Sequence, residues 1–425
     1  MPFFVVFTLG AFNDNALKNA LAILIIYQDF HWLGMKPAMV VNFSAGLFVL
    51  PFFLFSAFAG QLADKFEKSK LILFIKGIEA LMLIIAAAGF YFNSMPTLIF
   101  VLFLLGLQST LFGPVKYSIL PQYLHEKELL AGNGLTQMGT FIAILFGTIS
   151  SGLFINFDIV KWLVITMVVL SLLGWGAAFF LPHAPSPAPK LKLKFNPITQ
   201  TWATMKACWQ FHDIFVVNIA ISWFWCFGAI FISQIPPFAK YILYGDTTVV
   251  TYFLALFSIG IGIGAMLCDK ILKQKADLGL VILGMIGLSL FCGDIYFATK
   301  PIQPTALVHF KQFITHSYAW RLSFDVIMAT ICAGFYTVPL YTILQRDSND
   351  EYRSRMIAAN NILNAAFMVI AAIIIIALLK MNMNIAEIYL FTAIANALFG
   401  IGLCTYERKY YYAFRDWVKH LINMR

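Results

Sequence analysis

Residues 9–23 read LGAFNDNALKNALAI and set Asn13, Asp14, Asn15, Lys18 and Asn19 inside a long apolar run. If that run crosses a membrane, an ionised side chain at its centre costs about 2.5–3.5 kcal/mol on insertion scales. On a helix, Asp14 and Lys18 lie about 40° apart with the acid four residues ahead of the base, so the two can pair along one face. Asn15 and Asn19 stack the same way on a second face, and Asn13 points to a third. Two readings fit. One is a self-neutralising Asp14–Lys18 pair with asparagines bonding to neighbouring helices. The other is a substrate-facing site, the default for ionisable groups inside a membrane.

Four further stretches carry groups able to do chemistry. LQSTLFGPVKYSIL (107–120) puts Ser109 and Lys116 seven apart on one helical face, bent by Pro114. Lys116 either snorkels to the interface or supplies a cation for a phosphate. Lys76 and Glu79, three apart, read as a mutual ion pair on a buried face. SWFWCFG (222–228) places Trp223 and Trp225 near mid-membrane, where tryptophan is uncommon; they read as packing or as a wall for an acyl chain. Asp294 and Asp325 fall near outer span ends and are expected to be solvated.

The elements that must hold these residues follow from composition. The chain is 61% hydrophobic and 12% charged, with mean hydropathy +0.82, where a soluble domain carries about 25% charged residues. Windows of about 19 residues give twelve spans, near 2–27, 38–63, 71–92, 97–120, 129–157, 160–181, 213–238, 248–268, 278–297, 324–345, 352–380 and 385–405. The first lacks the basic start and cleavage site of a signal peptide. With the N-terminus inside, cytoplasmic segments hold 19 of the 29 Lys and Arg and the opposite side seven. The net charge of +9 is therefore a topological bias with both termini cytoplasmic, and no nucleic-acid partner is expected. The six cysteines and seven histidines show no metal-ligand spacing, so no metal and no cofactor is expected.

PHAPSPAPKLKLKFNP (182–197) interrupts the apolar pattern and divides the spans six to six. The expected organisation is an N-terminal six-helix bundle over 1–181, a cytoplasmic linker over 182–212, a C-terminal six-helix bundle over 213–405 and a cytoplasmic tail over 406–425. Short matches support a parallel duplication: LADK (62–65) with LCDK (267–270), and YSIL (117–120) with YTIL (341–344). Each YxIL segment precedes a charged loop and a similar helix start, LLAGNGL and MIAANNIL. The fold class is thus all-α integral membrane, with twelve transmembrane helices in two pseudo-symmetric bundles and a substrate path at their interface.

GQLADKFEKSK (60–70) resembles the loop signature of the major facilitator superfamily through Gly60, Asp64 and Lys65. The resemblance implies a gating loop in which Gly60 allows close helix approach and Asp64 meets a helix N-terminus, near residues 351–356, with Arg353 or Arg355 beside it. In the second copy Ala265 replaces the glycine. LGAFNDNALKNAL (9–21) with LFGPVKYSILPQYLHEKELLAGNGL (111–135), and KGIEA (76–80), closely resemble bacterial lysophospholipid transporters of that superfamily.

That family moves lysophospholipids, notably lysophosphatidylethanolamine, from the outer to the inner leaflet of the Gram-negative inner membrane. The resemblance implies that Asp14 takes the head-group amine with Asn15 and Lys18 as neighbours, that Lys116 takes the phosphate, and that no proton gradient is needed. Some relatives are fused to an acyltransferase with Asp five residues after a His. No histidine here has that Asp, so a separate lysophospholipid acyltransferase is the expected partner beside membrane lipids. Two competing functions stay open at this point: an exporter of drugs or small amphiphiles, and an integral-membrane enzyme, for which no nucleophile or acid–base constellation is present.

Overall fold

The structure, a computed structural model, describes residues 2–35, 37–153, 157–272, 277–303 and 306–423. Its helices are α1 (Pro2–Tyr27), α2 (Pro37–Lys65), α3 (Lys68–Tyr91), α4 (Met95–Ser118), the single turn α5 (Leu120–Tyr123), α6 (Leu129–Leu153), α7 (Phe157–Ala178), α8 (Pro197–Gln210), α9 (His212–Tyr241), α10 (Thr247–Leu272), α11 (Leu278–Thr299), the single turn α12 (Phe310–Phe313), α13 (Ser317–Asp347), α14 (Arg353–Lys380), α15 (Ile385–Tyr406) and α16 (Arg408–Asn423). Among the described residues, ten of these are long and apolar enough to cross a membrane. α1, interrupted by its polar residues, and α7, with the apolar stretch Trp162–Ala178, complete the twelve expected spans.

Backbone groups in a bilayer must bond internally, so each span is one continuous helix, and the caps fall where polar residues allow. Glu67 caps α3 by accepting from the N–H groups of Ser69 and Lys70, and Asn384 with Glu387 forms a reciprocal capping box on α15. Pro51, Pro114 and Pro339 sit inside α2, α4 and α13, which membrane helices tolerate where neighbours satisfy the freed carbonyls.

One expectation is corrected here. α13 begins at Ser317, seven residues before the expected start, so Asp325 lies two turns inside the helix and is only 2% exposed. It is not solvated. Asp294 does lie near a helix end, gripped by Arg321 through Nε (2.9 Å) and Nη2 (2.6 Å).

The chain forms two compact units: residues 1–125, 142–218 and 344–365 in the first, and 126–141, 219–343 and 366–425 in the second. In the first, α1 packs on α2, α4 and α7, and α3 on α4 and α7. Close approach needs small residues: a Cβ on Gly106 would strike the carbonyl of Phe48. The proline-rich linker is laced onto this unit. Ala184 N–H donates to Glu67, Ser186 Oγ to the carbonyl of Lys65 (2.7 Å), Ala188 N–H to the carbonyl of Asp64 (3.0 Å), and Lys194 N–H to Gln61 Oε1 (2.9 Å). In the second unit α11 packs on α15 and α16.

Candidate functional site

In the first unit, Phe7, Gly10, Asp14 and Lys18 recur every three or four residues and form one stripe of α1. α4 runs antiparallel to it: Ser109 meets Asp14, and Lys116, seven residues or about 10 Å further along α4, meets Phe7. The Ser109 hydroxyl lies between Asp14 Oδ2 and Gln108 Oε1 (3.3 Å), with a single proton to share. Gln108 donates from Nε2 to Glu79 Oε2 (2.9 Å), and Lys76 Nζ binds the same oxygen (2.5 Å). Lys76 also rests over the ring of Phe112 at 4.6 Å. Gly10 faces this ammonium, and a Cβ there would collide with it. A single connected network therefore runs Lys76–Glu79–Gln108–Ser109–Asp14 through three helices.

The spacing allowed an Asp14–Lys18 pair as one of two readings, and among the described residues the two form no ion pair. Lys18 donates to Asn15 Oδ1 (3.2 Å) and leans toward the ring of Phe48 (5.9 Å), while Asn15 Nδ2 donates to the carbonyl of Ala11 (2.8 Å). Asp14 is drawn instead to α4 by Ser109. Its other oxygen, Oδ1, is buried with no hydrogen-bond partner among the described residues. Asn19 takes the bland role, bonding Thr148 of α6 (3.0 Å). Lys116 does not snorkel: it is 9% exposed, with its ammonium 4.7 Å from the Phe7 ring centre and 5.2 Å from that of Tyr117. These are cation–π distances. Fully ionised, the three ammoniums of Lys18, Lys76 and Lys116 outnumber the two carboxylates, leaving the stripe net positive.

Reasoning from sequence missed Gln108, Gly10 and Phe7, and gave Lys76 a structural part only. Phe7–Asp14 and Ser109–Lys116 share a seven-residue spacing on two helices of opposite direction, but that spacing alone sets no register between them. The observed register puts Lys76, entering from α3 at Gly10 and Phe112, between Asp14 and Lys116. Asn13, on another face, is fully buried and neither side-chain polar atom has a partner among the described residues.

Asp64 sits at the N-terminus of α14. Its Oδ1 accepts from Ser354 N–H (3.2 Å) and its Oδ2 from Arg355 Nε (2.9 Å). A Cβ on Gly60 would lie 2.8 Å from that of Ala358, so the glycine lets α2 touch α14. Lys65 sits over the Phe66 ring at 5.8 Å.

The second unit contains an apolar cavity of about 240 Å³, lined by Phe141, Phe224, Trp225, Phe231 and Phe257 among others. Trp225 forms part of the wall, anchored from Nε1 to Tyr341 Oη (3.0 Å). Trp223 does not line it. It stacks on Phe399 with centroids 4.6 Å apart and donates to Asn396 Oδ1 (2.9 Å). Two residues apart on a helix means about 200° of rotation, so the two rings face opposite ways.

The comparisons with known proteins agree with this architecture. A family model described as Major Facilitator Superfamily matches residues 3–372. The Lysophospholipid transporter LplT of Enterobacter sp. (strain 638) is 26% identical over 348 residues, covering 79% of this chain and 77% of that protein. The protein of that name from Escherichia coli O1:K1 is 25% identical over 346 residues, with the same coverage. Among solved structures, the human organic anion transporter superposes with a TM-score of 0.75 at 9% identity, covering 95% of this chain and 98% of that one.

Proposed function

We propose, from the premise that this chain belongs to the major facilitator superfamily and is a membrane transporter of that fold, that it carries lysophospholipids and foremost lysophosphatidylethanolamine. One observation carries the reading: Asp14 keeps a buried oxygen without a partner in a stripe otherwise dominated by ammoniums. A head group with its own ammonium and a phosphodiester supplies what that stripe lacks. The ammonium meets Asp14, replacing the missing donor with a charge-assisted bond. The phosphate meets Lys76 of α3 and Lys116 of α4, which face α1 at Gly10 and Phe7, successively further from Asp14. Asn15 and Lys18 hold the other flank of Asp14. Within the second unit, the apolar cavity at Trp225 has a lining suited to an apolar chain, while Trp223 packs on Phe399 on the opposite face of α9.

The remaining parts of the reading follow the same logic. Two curated relatives are named for lysophospholipids, and this reading places the protein in a bacterial inner membrane with both termini cytoplasmic, moving lipid from the outer to the inner leaflet. A separate acyltransferase consuming the delivered lipid completes the proposed setting. Gly60, Asp64 and Lys65 act as the gate, with Asp64 holding α14 through Arg355 and releasing it on each cycle. Transport needs no proton gradient, because Asp14 is assigned to the amine and Glu79 is already held by Lys76 and Gln108. A proton relay needs a chain of titratable groups.

The test is uptake of labelled lysophosphatidylethanolamine into proteoliposomes with and without the protein, repeated with an uncoupler. Saturable uptake that survives the uncoupler supports the proposal. Uptake of cationic amphiphiles without a phosphate, at equal efficiency, identifies a drug exporter instead.

A further inference from the structure

The second unit has another apolar space, larger than the cavity at Trp225 and built differently. α11, α15 and α16 enclose about 780 Å³. α15 makes room by presenting Ala397, Gly400 and Cys404 at helical spacing toward Met285 and Ile286 of α11. Leu290 on one wall and Ile401 on the other are 64% and 62% exposed, so the groove opens sideways, toward lipid in a membrane-spanning unit.

Its end is marked by charge. α15 stops at Tyr406, the limit of the apolar span, and α16 follows at Arg408 with the sequence RKYYYAFRDWVKHLIN. A helix that mixes aromatic and basic residues in this way, directly after a span, belongs at the membrane–water boundary. Of its four Lys and Arg side chains, two are paired among the described residues. Arg415 binds Asp416 (2.8 Å) and lies over Tyr412 (5.0 Å), and Lys409 reaches Glu407 (3.9 Å). Arg408 lines the mouth of the groove and has no ion pair or hydrogen bond among the described residues.

We propose that this groove is a binding site for one anionic diacyl phospholipid, separate from the transport stripe on α1. One acyl chain lies along Ala397, Gly400 and Cys404. The phosphate is held at the boundary by the Arg408 guanidinium, whose planar fork matches phosphate oxygens in pairs. The bound lipid fastens α16 to α11 and α15, so it stabilises the folded second unit as any ligand that binds only the native state does. The site does not depend on the identity of the transported substrate.

The experiment uses the full chain in a non-ionic detergent, with native mass spectrometry and thermal unfolding as readouts. Phosphatidylglycerol is added, and diacylglycerol serves as the probe with the same chains and no phosphate. The expected result is one retained phosphatidylglycerol per chain and a melting temperature that rises with its concentration, neither of which diacylglycerol produces. Arg408→Gln, at an exposed position, should keep the helical content and weaken phosphatidylglycerol roughly ten- to a hundredfold, and Arg408→Lys should recover part of that. Gly400→Leu fills the groove and should abolish the retained lipid. The proposal is overturned by equal stabilisation of the wild type and Arg408→Gln, by diacylglycerol matching phosphatidylglycerol, or by undiminished retention in a folded Gly400→Leu protein.

Discussion

A Cβ placed on Gly134 of α6 would come within 2.6 Å of the carbonyl oxygen of Ala265 on α10. Ala265 is the residue that replaces the signature glycine in the second copy of the loop, and Gly134 belongs to the helix start that matches the one containing Ala358. In the first copy the glycine is on the signature helix, at Gly60, and faces Ala358. In the second it has moved to the opposing helix, so close approach is kept with the small residue exchanged. The two contacts should respond differently to repair. Gly60→Ala is expected to destabilise by about 1–3 kcal/mol, with Ala358→Gly returning part of it, because the obstacle is a Cβ. Gly134→Ala should not be rescued by Ala265→Gly, because there the obstacle is a backbone oxygen. Melting temperatures of the four variants check this.

Asp64 is fully buried while Arg355 is partly exposed, so the two ends of their bond are unequal. Arg355→Leu leaves a buried carboxylate without its cation and should cost about 3–5 kcal/mol. Asp64→Asn keeps an acceptor for Ser354 N–H and should cost less. Both should raise the labelling rate of a cysteine introduced at Ser354, and the ratio of the two rates measures the ion pair against the helix-end contact.

Asp14→Asn removes a charge at constant size and should weaken lysophosphatidylethanolamine by one to two orders of magnitude, the worth of a charge-assisted hydrogen bond of about 1.5–3 kcal/mol. It should affect lysophosphatidylglycerol far less. Lys116→Gln should weaken both lipids, as should Lys76→Gln, the latter with a fall in melting temperature because Glu79 is left without its cation. Equal losses for Asp14→Asn on both lipids, in step with reduced stability, would sink the assignment of Asp14 to the amine.

Asn13 has a buried amide with no partner among the described residues, a state that costs about 1–3 kcal/mol. Asn13→Leu, with the same branching and no polar atoms, is expected to raise the melting temperature. A parallel drop in uptake would mean that the amide is kept for the moving state of the transporter; unchanged uptake would make it a plain structural cost.

Glu67 provides a pH dependence outside the membrane spans. Partial burial alone would raise its pKa, but the hydrogen bonds from the Ser69 hydroxyl and from the N–H groups of Ala184, Lys70 and Ser69 outweigh this and hold the carboxyl below its usual range. Folding with a depressed pKa contributes stability that is complete above the unfolded value of about 4.3 and is lost as pH falls through the folded value. Glu67→Gln should therefore lower the melting temperature at neutral pH and flatten its decline in acid. An unchanged acid limb would remove Glu67 from the account.

Much of the fold was legible because a bilayer converts composition into helices. The expected first span, 2–27, coincides with α1, and the contact between Asp64 and α14 was implied by the resemblance of GQLADKFEKSK to the superfamily's loop signature. Sequence periodicity assigns residues to faces of one helix but does not set the register between helices. That is why the interposition of Lys76 between Asp14 and Lys116 needed coordinates. Asp325 was misplaced for a different reason: the start of α13 is polar, and a hydropathy window cannot see seven residues of helix outside the apolar stretch. Trp223 and Trp225 lie about 200° apart on α9, but only the structure shows which of them lines the cavity.

Asp64 grips two things at once: its carboxylate holds α14, and its backbone carbonyl holds the linker at Ala188 and Ser186. Lys190, Lys192 and Lys194 follow within one short exposed segment whose far end is tied to Gln61. A protease that cuts after lysine needs several residues of free extended chain, and this segment has its ends fastened only while α2 keeps its present neighbours. Its digestion rate is consequently a clock wired to the proposed gate, readable on the unlabelled protein. Slow cutting reports Asp64 engaged, and faster cutting in Arg355→Leu would time the release.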